Sequence, residues 1–101
     1  MIIYNVTIYI KKEIESEWLE WMKKTHIPEV VEAGNFLSSK IYKVIIPSGE
    51  ADEVTYSIQY ECKSLESYLE YSEKEALRLQ REHTIKYQNK IKAARAVMEE
   101  I

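Results

Sequence analysis

The chain has 101 residues, 46% of them hydrophobic and 31% charged, with a formal net charge of −3. That length suits a single domain, which buries about 65% of its unfolded surface and forms a core without staples. The composition shows no positive footprint for nucleic acid and no apolar run near the ~20 residues of a membrane span, and a lone cysteine, Cys62, fits a reducing cytoplasm.

The opening segment MIIYNVTIYI has no basic leader and alternates with period two. Ile2, Tyr4, Val6, Ile8 and Ile10 share one face, and Ile3, Asn5, Thr7 and Tyr9 share the other, as in a strand. The period then changes. In KKEIESEWLEWMKKTHIPEV, residues Ile14, Trp18, Trp21, Met22 and Thr25 follow helical spacing, with glutamates in the first turn, where the macrodipole favours them. Ile27 precedes Pro28 and is expected to leave the helical region. The pattern therefore predicts a long helix, a kink near His26–Ile27, and a short helix opened by Pro28 and closed by Gly34.

Residues 36–46, FLSSKIYKVII, predict a second strand, and PSGEAD a turn. Residues 53–62, EVTYSIQYEC, alternate cleanly. Val54, Tyr56, Ile58, Tyr60 and Cys62 share one face; Thr55, Ser57, Gln59 and Glu61 share the other. Ser64 is a candidate N-cap for the next helix, where Leu65, Leu69, Ser72, Ala76, Leu79 and His83 form a predicted buried seam. The tail KIKAARAVMEEI favours helix by propensity. We expect a strand there, because the preceding order βαββα requires a fourth strand beside the first.

The resulting βαββαβ order is the ferredoxin-like split unit, an α+β fold in which a four-stranded antiparallel sheet carries both helices on one face. The helices are expected to cover the face bearing Tyr4, Val6, Ile8, Tyr56, Ile58 and Tyr60. The other face keeps Asn5, Thr7, Tyr9, Ser57 and Gln59 for water or for a second copy of the chain.

The segments MIIYNVTIYI, WLEWMKKTHIPEVVEAG, VTYSIQYECKSLESYLEY and RLQREHTIKY resemble a small bacterial family, a domain of unknown function in the dimeric α/β-barrel superfamily. The resemblance spans essentially the whole chain. It implies a homodimer packed sheet to sheet, and it brings no established activity and no family catalytic residues. Some superfamily monooxygenases, including haem-degrading ones, use an asparagine on the first strand and a histidine on the second helix, and Asn5 and His83 fall in loosely similar places. Those haem enzymes carry a tryptophan on a later strand, which has no counterpart here.

The candidate catalytic residues are His26 and His83. The two helices are expected to run roughly parallel, each following one of two parallel central strands, so that both histidines lie near helix C-termini at one end of the domain, where imidazole protonates readily. The alternative role is a hydrogen-bonded spacer at each helix end. Trp18, Tyr56 and Tyr60 are candidate ligand contacts in a helix–sheet cleft, with Asn5 and Gln59 offering polar contacts on the opposite face. Each has an equally plain role in packing, as do the eight tyrosines as a group. A metal site is not expected, because no tight pair of ligands is present. No cofactor is implied: no glycine-rich turn follows a strand. Cys62 closes a strand on its apolar face and looks like a small core residue.

Three functions compete: a small-molecule site in the cleft, a non-catalytic interaction module, and a monooxygenase-like enzyme. The sequence leaves open whether the chain is an enzyme. Neither a nucleic-acid nor a membrane partner is expected.

Overall fold

A computed structural model describes all residues, 1–101. Strand β1 (Ile2–Lys11) leads through a 3₁₀ turn into helix α1 (Glu15–Trp21), a π turn (Met22–His26) and helix α2 (Ile27–Gly34). Strands β2 (Ser38–Lys43) and β3 (Glu53–Cys62) follow, then helices α3 (Leu65–Lys74) and α4 (Ala76–Lys86), and strand β4 (Ile91–Glu99). The sheet order is β2-β3-β1-β4 with every pair antiparallel, the ferredoxin-like arrangement. The tail is a strand, as its place beside β1 requires, despite its helical propensity.

The alternation in β1 and β3 is realised residue by residue. Tyr4, Val6, Ile8, Ile10, Tyr56, Ile58, Tyr60 and Cys62 are buried on the helix-facing side. Register places Asn5 opposite Gln59 and Thr7 opposite Ser57 on the outer side.

Four expectations about the helices need correction. First, β1 and β3 are antiparallel, so the helices that follow them are antiparallel as well. Trp18 at the start of α1 accordingly meets His83 near the end of α4. Second, the chain does not leave the helical region at Ile27 (φ −60°, ψ −46°). Pro28 offers no N–H to the ladder, and the backbone answers by widening: Ile27 N–H bonds the Met22 carbonyl, five residues back. The buried side chains Trp18, Met22, His26 and Val30 are spaced strictly by four. In a regular α-helix such a row drifts about 40° per step, and the wider turn takes up the drift.

Third, the seam predicted along α3 is out of phase. Leu65, Leu69 and Ser72 are exposed, and Tyr68 and Tyr71 face the sheet instead. The helix breaks at Glu75 (φ −123°, ψ −30°), which resets the phase, so Ala76, Leu79 and His83 are buried as expected. Ser64 does cap α3, its hydroxyl accepting from Ser67 N–H at 3.0 Å.

Fourth, Gly34 does not close α2 as the C′ residue. Asn35, in the left-handed region (φ 52°, ψ 40°), does so. Gly34 is the last helical residue, and a Cβ there would lie 2.2 Å from the Phe36 ring. Gly34→Ala is therefore expected to destabilise by about 1–3 kcal/mol through overpacking, read as a lowered urea midpoint with unchanged slope; a neutral result would mean that Phe36 is free to swing away.

Candidate functional site

Antiparallel helices still bring the two histidines together, because His26 lies in mid-helix and His83 late in the second helical arm. Their rings are 4.8 Å apart. Both are buried, and both line a small cavity between helices and sheet. Tyr4, Val6, Ile58 and Tyr60 form its floor, Met22, Val30 and Leu79 its roof, and Gln80 and Arg95 also border it. The enclosed space is about 20 Å³, room for one water.

The Trp18 indole N–H donates to His83 Nε2 at 2.9 Å, with no exposure of the indole to solvent. Neutral His83 therefore carries its proton on Nδ1. Trp21 stacks on His26 at 4.9 Å, and Tyr87 closes the cluster edge-on to Trp21. Within it, His26 Nδ1 is buried with no hydrogen-bond partner. Buried polar atoms are normally paired, so an orphan beside a cavity marks a position suited to a ligand or water atom.

Burial lowers the pKa of His26 to about 4, with the positive charge of Arg95 adding to the effect. Burial likewise brings His83 down to about 3, assisted by His26 and then Arg95. Both are neutral imidazoles at physiological pH. The expectation of easy protonation at helix C-termini is thus reversed: His26 is not at a helix end, and desolvation outweighs the dipole at His83.

The other sequence candidates separate. Tyr60 lines the cavity. Trp18 stands behind His83 and positions it. Tyr56 lies 5.0 Å from Trp18 and donates its hydroxyl to Glu15 at 2.7 Å, while Lys43 pairs with the same carboxylate. Burial, then the Glu15 hydrogen bond, raises the Tyr56 pKa, and Lys43 and Tyr56 together lower that of Glu15. Asn5 and Gln59 lie on the outer face, where Asn5 accepts from the Ser57 hydroxyl at 2.7 Å and donates to Thr7 at 3.2 Å. Asn5 and His83 are thus on opposite sides of the sheet and share no site within one chain. Cys62 is buried, with its thiol pKa raised by burial, as befits a core residue.

Sequence reasoning missed Arg95. Arg95 and its neighbours in β4 are all exposed, so parity could not be read from hydropathy. Register with β1 settles it: Arg95 pairs with Val6 and lies on the helix side.

A four-stranded sheet with antiparallel helices on one face and a cleft between the layers defines a ferredoxin-like α+β protein. The chain belongs to the family described as a domain of unknown function (DUF4286), which matches residues 1–101. No curated protein matches it. Similar solved structures include an ethyl tert-butyl ether d (EthD) family protein from Bacillus halodurans, at 16% identity and TM-score 0.66, with 100% of each chain covered. HapK from Hahella chejuensis is similar at 6% identity and TM-score 0.70, over 100% of this chain and 93% of that one. A dimeric ferredoxin-like protein from an uncultured marine organism is similar at 13% identity and TM-score 0.67, over 100% of this chain and 95% of that one. At these identities the likeness is one of fold. No helix is long and apolar enough to cross a membrane.

Proposed function

We propose that this protein binds a small molecule in the helix–sheet cleft, as a homodimer joined through the outer sheet face. The observation that carries the reading is the unpartnered, buried Nδ1 of His26 beside the cavity. A neutral imidazole there hydrogen-bonds a ligand hydroxyl or amide, and Trp18, Trp21 and His83 hold the ring in place. Tyr60 supplies apolar wall. Tyr9, Tyr42 and Met98 are exposed on the outer face around the polar Asn5–Ser57–Gln59 centre, a surface suited to a second copy. The dimeric neighbour favours the same assembly.

The test is a thermal-shift screen of fragments against the wild type and His26→Gln. Fragments that raise the melting temperature of the wild type and not of the variant support a site. If no fragment acts and His26→Gln only lowers the melting temperature, the residues are packing and the interaction-module alternative stands. Sedimentation equilibrium over a dilution series tests the dimer separately: a monomer throughout removes the sheet-to-sheet assembly without touching the cleft.

A further inference from the structure

The cleft has a charged lip that neither the histidines nor the tyrosines explain. Arg95 reaches the cavity from the edge strand, and it is the only charged group bordering it. All six ion pairs of the molecule form elsewhere, so its guanidinium has no carboxylate partner. Arg95 and Gln80 lie close enough to the Tyr4 hydroxyl to act on it, and with Tyr68 and Tyr71 nearby they make a polar rim over an apolar interior. Opposite the rim stand two imidazoles that burial and Arg95 keep uncharged. A cationic ligand would meet the guanidinium with no anion to offset it. A wholly apolar ligand would leave His26 Nδ1 without a partner.

We infer that the cleft takes a small carboxylate with an apolar body, its anionic end on the Arg95 guanidinium and a hydroxyl at its far end on His26 Nδ1. Guanidinium and carboxylate match as planar forks, and Arg95, exposed at the lip, offers that fork to a carboxylate arriving from solvent. The residues lining the rest of the cavity are mostly aromatic and aliphatic, among them Tyr4, Tyr60, Val30, Ile58 and Leu79. The ligand is accordingly flat or branched rather than sugar-like. The enclosed space holds only a water, so Arg95 and Gln80 must swing outward to admit it, as side chains on a solvent-exposed edge strand and helix can. This inference rests on the cleft being a ligand site and specifies its chemistry.

The probe is 4-hydroxybenzoate, compared with benzoate and with the uncharged 4-hydroxybenzyl alcohol by titration calorimetry. The wild type is expected to bind 4-hydroxybenzoate about tenfold or more tightly than the alcohol, with affinity falling as salt is raised. Arg95→Gln should remove that advantage, and His26→Phe should equalise 4-hydroxybenzoate and benzoate. Circular dichroism melts of both variants establish that they fold; if His26→Phe does not, His26→Gln takes its place. Equal binding of acid and alcohol, or an Arg95→Gln protein that binds the acid as well as the wild type, overturns the anionic class while leaving the cleft as a site. Absence of binding by all three at millimolar concentration also overturns it, and uncharged hits in the fragment screen would then show that the site itself survives.

Discussion

Truncating Trp18 to alanine is expected to lower the free energy of unfolding by about 4 kcal/mol. Small domains have only about 5–15 kcal/mol in total, so the variant should be largely unfolded or close to it at 37 °C. Two effects add. The indole is wholly buried, and its removal leaves a large cavity between α1 and the sheet. His83 Nε2 then loses its only hydrogen-bond donor and becomes a third buried orphan, with His26 Nδ1 and the Tyr87 hydroxyl. Trp18→Phe separates the two. It keeps most of the volume and removes the donor, at an expected cost of about 1–2 kcal/mol. The tautomer is the more specific readout: imidazole ¹⁵N shifts should show His83 protonated at Nδ1 in the wild type, with that preference lost in Trp18→Phe. If the wild type already shows a mixture of tautomers, the indole does not position His83.

Stability is expected to fall steeply as pH drops below about 6.5, the ordinary pKa at which histidines of the unfolded chain take up protons. In the folded protein His26 stays neutral down to about 4 and His83 down to about 3. Between those limits the unfolded state holds more protons than the folded one, so lowering the pH favours unfolding; above about 6.5 neither state is protonated and the histidines add no pH dependence. Two histidines in this condition give a slope approaching about 2.7 kcal/mol per pH unit near pH 5. Glu15, whose pKa is lowered by Lys43 and Tyr56, adds its own loss at lower pH, beginning near 4.5. Urea titrations from neutral pH downward measure the slope, and His26→Gln should roughly halve it. A flat profile from neutral pH to about pH 5 would mean that the imidazoles are hydrated and titrate normally, which the closed cleft does not allow.

Much of the fold was legible because strands β1 and β3 alternate strictly. Ile2 through Ile10 and Val54 through Cys62 leave one register that buries both apolar rows. The α3 seam misled because Leu65 and Leu69 satisfy helical spacing on a face that the Glu75 break leaves in solvent. Tyrosines 68 and 71 do the packing instead, and a tyrosine announces burial less plainly than a leucine. The site was half legible. His26 and His83 do meet, although not for the reason their helix positions suggested: the arms are antiparallel, and His26 in the middle of one lies beside His83 late in the other. Arg95 was hidden by an edge strand exposed along most of its length, where hydropathy carries no parity. Once Ile91 is placed on the inner side opposite Ile10, Ala93, Arg95 and Val97 follow by counting in twos.

The wide turn at Met22–His26 has a bearing on how the chain can change in length. A π turn is in effect an α-helix with one residue too many. Remove one residue there and the ladder returns to four-residue spacing apart from the N–H that Pro28 lacks, with the histidine seven residues after Trp18 and the valine eleven, spacings that a regular α-helix keeps on one side. The same side chains would still face the sheet. Elsewhere in these helices a deletion would rotate everything downstream by about 100° and empty the core of its partners. Chain length is therefore rigid along α4 and negotiable at the one turn that carries His26, so a family member shorter by a single residue there could present the same cleft.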